Sequence, residues 1–461
     1  KIKKSELFDK NCNFLPNSLD IIKNLSINKI SYIRDINTEF YPSKQFIGNK
    51  IKDISFLKFI KCPMSPLHLR TYIHLSKEQQ KNKDINDNIK VNSKKNKYPV
   101  TLPLEQIYIN DYVLPNPDNI NIGLFKSSDI NNKIRNSSQK WKDDNKIKFI
   151  DKQDSSVNYE LYGNFMLEEN IKTYSTKYYK LLTTIKNMII NKKGKIFIYH
   201  NFVNNSGVIF IQDMLKTNGY LSKGSISTSN TICTFCAKTR KEHENDPKLF
   251  NHDFKPVKFI TIHSEIQKNI IENDLDMYNL SNNDTGENIK IIIGSRAIKE
   301  SFDLKAIRNV IITTCPDNIP TLIQIIGRSV RKNSHINLPK NERNVDIHIL
   351  VNSIHNDYND SNNLSYEETK YLNKINTYKQ IQKIENIFIN NSIESLINKN
   401  IYQTQLNDSL LPNEIKNNKL IELDHKKINL STFTPFHIQS EINLVKYIIK
   451  RLFLETSNIW D

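Results

Sequence analysis

The stretch of sequence that decides the fold is NVIITTCPDNIPTLIQIIGRSVRKNSH, residues 309–335. It opens with an apolar, β-branched run that is typical of a buried strand, and an amphipathic stretch at 319–331 then predicts a helix. The helix carries a Gln-x-x-Gly-Arg-x-x-Arg pattern formed by Gln324, Gly327, Arg328 and Arg331. A strand followed directly by such a helix indicates an α/β domain.

The two arginines of this pattern suit phosphate chemistry. Arginines at positions i and i+3 of a helix lie on one side of it, and guanidinium groups bind phosphate oxygens in pairs and stay charged. Gly327 permits close backbone approach beside them. A solvated basic face is the simpler explanation of any arginine pair. The preceding strand and the Gln–Gly context favour instead a role for Arg328 and Arg331 in stabilising a transferring γ-phosphate.

Further apolar runs alternate with amphipathic stretches around this segment. The runs are KIFIYH (195–200), VKFITIH (257–263), IKIII (289–293) and VDIHILV (345–351). The candidate helices lie near 206–217, 265–280 and 297–303. Near-continuous apolar strands that alternate with helices predict a parallel sheet covered on both faces.

A second motif, IIIGSRAIKESFDL at 291–304, begins as a strand and turns at Gly294, Ser295 and Arg296. A turn of this kind exposes backbone N–H groups and a hydroxyl that can bind a nucleic-acid phosphate. Asp303 follows one element later and is predicted to face the nucleotide cleft. Gly-Ser turns after strands are common, so this segment gains its meaning from the arginine motif that follows it.

The two motifs together resemble motifs V and VI of superfamily-two helicases and of chromatin-remodeller-like ATPases. The resemblance is closer to the helicases of large cytoplasmic DNA viruses, namely the group of the poxvirus early transcription factor small subunit and nucleoside triphosphatase I. Linear plasmids of yeasts carry related helicases. Motif IV of that group is similar to KGKIFIYHNFVNNSG (193–207), and the strand before motif V to ITIHSEI (260–266). The segment joining the two motor lobes resembles ISYIRDINTEFYP (30–42) and FIKCPMSPLH (59–68).

This resemblance implies a RecA-like helicase C-terminal lobe at residues 161–355. A lobe-linking and insertion region at 1–160 would precede it, and a helical region at 356–461 would follow. Within the last region, EINLVKYIIKRLFLE (441–455) predicts an amphipathic helix whose apolar face is formed by Ile442, Val445, Ile448, Ile449 and Leu452. The chain ends shortly after this helix, so we expect the region to be truncated.

The resemblance also implies an activity, that of a DNA-dependent ATPase or helicase acting on DNA during viral early transcription initiation. Arg328 and Arg331 would be its arginine fingers, and Arg296 with its two neighbours Gly294 and Ser295 would contact nucleic acid. Contacts in the nucleotide cleft would come from Gln324, Gly327 and Asp303. Asp303 stands where remodeller-like enzymes often carry Asn. The implied partners are DNA, a second transcription-factor subunit and the viral RNA polymerase, in the host cytoplasm and the virion.

Neither G-x-x-x-x-G-K-[ST] nor D-E-x-[HD] occurs in the 461 residues. ATP binding needs the cradle of N–H groups and the Mg²⁺ ligand that these motifs supply. In the resembling family both lie in the first lobe, so ATP and Mg²⁺ would be bound mainly there, and this chain alone is predicted not to hydrolyse ATP. Its first residue is Lys1, which favours truncation. The alternatives are a non-catalytic nucleic-acid-binding scaffold or transcription-factor module, and a helicase subunit of a restriction or RNA-processing system.

A third constellation, CTFCAKTRKEHENDPKLFNH, lies in a polar insertion at about 230–254. Cys-x-x-Cys on a tight turn is the usual half of a tetrahedral zinc site, and the residues that could complete the set are Cys233, Cys236, His243 and His252. The His-x8-His spacing is looser than in zinc fingers. A zinc site and two reduced cysteines beside solvent histidines fit this pattern equally. His263 ends a strand and is predicted to pack or cap there.

Bulk properties set wider bounds. The net charge of +17 suits a polyanionic partner, although an AT-rich genome would inflate Lys in the same way. The sequence contains no run of 18 apolar residues, the length that would predict a membrane span. The first residues lack the apolar core of a signal peptide. The five cysteines are few and scattered, which favours a reducing compartment. Aromatic and basic residues alternate in one segment, formed by Tyr174, Lys177, Tyr178, Tyr179 and Lys180. Such residues can stack on nucleic-acid bases, but packing in the protein core is favoured for them.

Overall fold

The computed structural model describes residues 4–9, 14–27, 29–31, 40–75, 109–114, 139–151, 159–245, 251–299, 302–360 and 363–392. The chain divides into two compact units. The larger is Phe40–Lys379, and the smaller combines Lys1–Glu39 with Gln380–Asp461. Within the smaller unit the Asn391 amide donates to Ser26 Oγ at 2.7 Å. Among the helices described, we find none with the length and apolar content that crossing a membrane requires.

The strands are β1 Ser43–Ile47, β2 Ile60–Pro63, β3 Lys148–Asp151, β4 Tyr159–Tyr162, β5 Lys195–Tyr199, β6 Leu221–Ser222, β7 Lys258–Ile262, β8 Ile291–Gly294, β9 Ile307–Ile312 and β10 Asn344–Ser353. Eight of them form one sheet in the order β1-β10-β9-β5-β8-β7-β6, with β2 also paired to β10. Every pairing in this sheet is parallel. Strands β3 and β4 pair with each other in antiparallel fashion.

The helices are α1 Lys4–Leu7, α2 Ser18–Ser26, α3 Gln139–Asp144, α4 Glu168–Tyr174, α5 Thr176–Ile190, α6 Val208–Thr217, α7 Arg240–Asn245, α8 Lys268–Asn279, α9 Ile319–Ser329 and α10 Tyr366–Asn391. Residues 66–75 are also helical. Helices α6, α8 and α9 lie in the connections β5–β6, β7–β8 and β9–β10 of the parallel sheet, as crossovers of this type require, and α5 directly precedes β5. The predicted helicase-type α/β fold with a parallel, RecA-like sheet is therefore confirmed.

The central strands are apolar because the sheet buries them. Every residue of β5 and β8 is buried. β8 has three isoleucines in four residues, and β5 has two isoleucines with Phe197 and Tyr199, as expected for strands covered on two faces. Against this sheet α5 contributes Leu181, Ile185 and Ile189, all fully buried. The same helix buries Lys177 and Tyr178 completely, which confirms core packing for these two members of the aromatic and basic group.

Two details differ from expectation. The helix predicted at 297–303 is a 3-10 turn at Arg296–Lys299, because the N–H of Ile298 donates to the carbonyl three residues back, on Ser295. Strands β1 and β2 lie within 1–160, assigned to a lobe-linking region, yet both extend the sheet through β10. The domain boundaries stay a prediction. The helix expected at 441–455 lies outside the described residues.

Candidate functional site

Helix α9 positions the arginine motif. The helix begins where the side chain of Asn318 accepts a hydrogen bond from the N–H of Thr321 at 2.7 Å, with Pro320 in its first turn. Its apolar face is buried through Ile319, Leu322, Ile325 and Ile326. This burial fixes the rotation of the helix, so the remaining face, with the predicted site residues, is turned outward.

The outward face of α9 carries Gln324, Gly327 and Arg328 of the Gln-x-x-Gly-Arg-x-x-Arg pattern, and Arg331 follows just after the helix ends. Gln324 and Arg331 are exposed, and Arg328 is half-buried. A methyl group added at Gly327 would meet no atom within 4 Å, so the surface beside the arginines is open. Gln324 and Arg328, four residues apart, lie along one stripe of α9. The helix predicted to extend to 331 ends at Ser329, so Arg331 lies beyond it, where its guanidinium pairs with Asp303. The structure therefore brings these predicted residues together on one accessible surface.

Asp303 lies at the same end of α9. Its carboxylate forms an ion pair with the Arg331 guanidinium, and the two side chains are 53% and 52% exposed. Alongside, the N–H of Leu304 donates to the Arg328 carbonyl at 3.4 Å, and the N–H of Ala306 to the carbonyl of Ser334 at 2.8 Å. Because β9 begins at Ile307, this group lies at the amino end of that strand. We call Asp303, Arg328 and Arg331 the arginine group.

The second motif lies at the opposite end of the strands. Gly294 ends β8, and a side chain there would meet Ile298 at 2.7 Å. Ser295 is 1% exposed and its N–H donates to the carbonyl of Ile262. The expectation that this turn offers free N–H groups and a hydroxyl is therefore not met at Ser295, because the neighbouring strand β7 uses that N–H. Arg296 is exposed.

Arg296 is held at this carboxyl end by a second acid. Its guanidinium pairs with Asp317 at 2.6 Å, with the side chains 53% and 42% exposed. Asp317 precedes the cap of α9, so the pair ties the turn after β8 to the start of that helix. Next to them the N–H of Asn201 donates to Thr314 Oγ1 at 2.9 Å, and its amide donates to the Cys315 carbonyl at 2.7 Å. The predicted site residues thus form two groups, one at each end of α9.

A buried charge cluster lies under the carboxyl ends of β5, β9 and β10, and sequence reasoning missed it. The Lys177 ammonium donates to Asp111 and Glu367, at 2.8 Å each, and to the carbonyl of Thr313 at 2.9 Å. The other oxygen of Asp111 accepts from Ser206 Oγ at 2.7 Å and contacts His200 Nε2 at 3.3 Å. The partners are 66 and 190 residues from Lys177 in sequence, so no local spacing could have revealed them.

The Lys177–Asp111 pair is charged despite its burial. Burial alone would raise the pKa of Asp111, but Lys177 and then His200 hold that pKa well below its usual range. Burial would likewise lower the pKa of Lys177, and Asp111 with Glu367 raise it instead. Burial raises the pKa of Glu367, partly offset by Lys177. The ammonium is therefore the cation that makes two buried carboxyl groups tolerable.

The four predicted metal ligands come together in the insertion. Cys233 Sγ lies 3.4 Å from His252 Nε2, and Cys236 Sγ lies 3.2 Å from His243 Nε2. All four ligand atoms lie within 4.8 Å of one another. His263, expected to pack or cap, is 6% exposed, and its Nδ1 accepts from the N–H of Glu265, which confirms that expectation.

Comparison with known proteins identifies one matching family and several similar proteins. A family model described as the helicase conserved C-terminal domain matches residues 216–333. An African swine fever virus protein named early transcription factor large subunit homolog is 30% identical over 98% of this chain and 40% of its own length. A protein of Acanthamoeba polyphaga mimivirus, named as an ATP-dependent RNA helicase, is 26% identical over 87% of this chain and 35% of its own.

The early transcription factor 70 kDa subunit of fowlpox virus is also similar. It is 26% identical over 74% of this chain and 43% of its own length. The names of these relatives include a large subunit homolog and a 70 kDa subunit, so the likeness extends to the group rather than to one subunit. This chain spans less than half the length of each of the three relatives.

Proposed function

Since this chain carries a helicase conserved C-terminal domain and resembles the superfamily-two helicases of large DNA viruses over nearly its whole length, we propose that it is the second motor lobe of a DNA-dependent ATPase that acts in viral early transcription. One observation carries the proposal. Helix α9 carries Arg328 near its end, Arg331 lies two residues beyond it beside the same open surface, and the start of the helix is tied to the exposed Arg296. One rigid element therefore joins a phosphate-binding surface to a candidate nucleic-acid contact.

The arginine group is suited to receive the phosphates of ATP from a facing lobe. An ion pair as exposed as Arg331–Asp303 stabilises the fold by about 0–1 kcal/mol. Arg331 can therefore exchange Asp303 for a phosphate oxygen at little cost. Guanidinium groups fixed near a transferring phosphoryl group stabilise the charge that spreads over its oxygens. We assign Arg328 and Arg331 this role, with Gln324, Gly327 and Asp303 as contacts in the nucleotide cleft.

Coupling between the two groups follows from the dimensions of α9. An 11-residue helix is about 16 Å long, and its buried apolar face makes it move with the sheet as one body. A displacement of the arginine group on ATP hydrolysis would be transmitted to the Arg296–Asp317 pair at the other end. This arrangement supports work on DNA rather than nucleotide hydrolysis alone.

The proposed cofactors are ATP with Mg²⁺, bound mainly by a first lobe that these 461 residues do not include. Zn²⁺ at the Cys/His cluster is a further proposed cofactor. The proposed partners are DNA, a second transcription-factor subunit and the viral RNA polymerase, in the host cytoplasm and the virion. The names of the relatives, which are transcription factors and a helicase, support this setting.

A non-catalytic nucleic-acid-binding scaffold is the second candidate function. The observation that favours it is the absence of both ATP-binding motifs from the 461 residues. A scaffold would keep the exposed Arg296 surface and would have no use for an open surface beside Gly327. The two candidates therefore differ in whether the arginine group affects any catalytic step.

The deciding experiment is ATP hydrolysis by the intact protein, measured with no nucleic acid, with duplex DNA and with RNA of the same sequence. The 461-residue chain serves as the matched control. We expect hydrolysis by the intact protein that duplex DNA stimulates more than RNA does, and none by the control. Stimulation of hydrolysis by RNA but not by DNA would show that the motor acts on RNA. An intact protein that hydrolyses no ATP with either nucleic acid would leave the scaffold as the function.

Replacing Arg296 by alanine is expected to weaken binding of duplex DNA without changing the fold. Loss of one phosphate contact lowers the slope of log affinity against log salt by about one unit. Fluorescence anisotropy with a labelled duplex over a range of KCl concentrations measures that slope. Lys268→Ala is the control, because Lys268 is 81% exposed on α8 and its removal changes the net charge equally. Equal slopes for the two variants would show that Arg296 contacts no phosphate.

A further inference from the structure

The Cys/His cluster lies between residues 223 and 257, in the connection from edge strand β6 to β7. This connection is built on few regular elements. Within the described residues its one helix is α7, six residues long. Its remaining order comes from isolated bridges, which pair Ile232 with Thr239 and Cys233 with Pro256. A segment with so little core of its own needs another source of stability.

Each half of the cluster is fixed by local backbone geometry. In the first half the N–H of Ala237 donates to the Cys233 carbonyl at 3.0 Å, and the N–H of Cys233 to the Lys238 carbonyl at 2.7 Å. Ala237 takes a left-handed φ of 58°, a conformation that costs a non-glycine residue energy. The result is a tight turn that directs both Cys233 and Cys236 toward one point.

The second half is directed by a capping box. The N–H of Thr239 donates to the Glu242 carboxylate at 2.7 Å, and the N–H of Glu242 to Thr239 Oγ1 at 3.3 Å. This starts α7 and places His243 one turn into it, where it is 6% exposed. Aromatic rings line both imidazoles, Phe254 at 5.5 Å from His243 and Phe235 at 5.1 Å from His252.

The two shortest ligand distances are close to those of a tetrahedral zinc centre. With Zn–S near 2.3 Å and Zn–N near 2.0–2.1 Å, the S···N edge of a regular tetrahedron is about 3.6 Å. The two short S···N distances here are 3.4 and 3.2 Å, and the whole set fits within 4.8 Å. Two thiolates and two imidazoles favour Zn²⁺ over Mg²⁺ or Ca²⁺, which take oxygen ligands.

We propose that Cys233, Cys236, His243 and His252 bind one Zn²⁺ as a closed, structural site that fastens the 223–257 connection to the edge of the sheet. Four protein ligands fill the tetrahedral shell and leave no position for a substrate or a catalytic water. The ligand-bearing segment is attached to the sheet edge beside Cys233, because the N–H of Ile232 donates to the carbonyl of Gly219, two residues before β6, at 2.9 Å. The N–H of Leu221 in β6 donates to the Val257 carbonyl, also at 2.9 Å. Binding releases the two thiol protons, so affinity falls at low pH.

The zinc site does not depend on the proposed ATPase function, and its test measures the amount of bound metal rather than enzyme activity. The full chain is purified, dialysed against Zn²⁺ and then against metal-free buffer, and its zinc content is measured by elemental mass spectrometry. We expect about one zinc ion per chain. The double variant Cys233→Ser/Cys236→Ser is expected to retain about a tenth of that or less, since both thiolates are gone. Cys315→Ala and His355→Asn, which remove a thiol and an imidazole outside the cluster, should keep the wild-type content.

A second measurement covers the case in which the double variant does not fold. Co²⁺ titrated into the metal-free wild-type chain should give the thiolate-to-metal absorption and the intense visible bands of a tetrahedral site. Chelation should expose residues 223–257 to protease before the rest of the lobe. Zinc content unchanged in the double variant, or a wild-type chain that binds neither Zn²⁺ nor Co²⁺, would overturn the proposal.

Discussion

Replacing Arg331 by alanine is expected to lower DNA-stimulated ATP hydrolysis by the intact protein about a thousandfold or more, the range found for arginine fingers. The reason is that Arg331 is exposed two residues beyond the end of α9, near an open surface at Gly327. Its present partner Asp303 is half exposed and releases it easily. Binding of ATP should change much less than turnover, because the contact forms mainly with the charge of the transition state.

The control for this substitution is Lys332→Ala. Lys332 is adjacent, exposed and equally charged, and it lies 6.0 Å above the ring of Phe40, away from the proposed nucleotide surface. Single-turnover hydrolysis separates the chemical step from nucleotide binding and product release. An Arg331→Ala enzyme that keeps more than about a tenth of the wild-type rate would fall far short of an arginine-finger effect and remove Arg331 from the catalytic step. Arg331→Lys tests geometry, since lysine keeps the charge but loses the planar fork.

The central sheet was predictable because most of its strands are recognisable from their local sequence. Runs such as KIFIYH and NVIITT are short, apolar and β-branched, and β5 and β9 coincide with them within two residues. Strand β1 carries no such signal. Its sequence SKQFI alternates between exposed and half-buried residues, and it becomes a strand only because β10, about 300 residues away, offers a free edge. Pairing between distant segments leaves no trace in local periodicity.

The candidate site likewise has a part that the local sequence predicts and a part that depends on contacts between distant segments. The arginine pattern on α9 and the Cys-x-x-Cys turn are local, so the sequence placed both. What it could not give is the separation of Arg296 from Arg331 to opposite ends of the strands, or the burial of Ser295 by its hydrogen bond to Ile262. Both depend on which strands are neighbours. Lys177 is a further case: its burial was predicted, but its two acidic partners, Asp111 and Glu367, come from distant parts of the chain and no local pattern indicates them.

Replacing Lys177 by methionine is expected to lower the free energy of unfolding by about 3–5 kcal/mol, the cost of removing one partner from a buried ion pair. The substitution leaves the carboxyl groups of Asp111 and Glu367, whose side chains are 2% and 1% exposed, without the ammonium that neutralises them. It also leaves the carbonyl of Thr313 without its donor. Urea unfolding followed by circular dichroism measures the change.

Lys186→Met is the matched control on the same helix. Lys186 also pairs with an acid, Glu168, but the two side chains are 42% and 35% exposed, so its loss should cost less than about 1 kcal/mol. Adding Glu367→Gln to Lys177→Met should recover part of the stability, because it removes one of the two uncompensated charges. If both lysine variants lose the same small amount, the buried cluster does not hold the strand ends together. A large loss at Lys177 that Glu367→Gln partly reverses would show that charge compensation, and not packing volume, joins the ends of β5, β9 and β10 to α5 and α10.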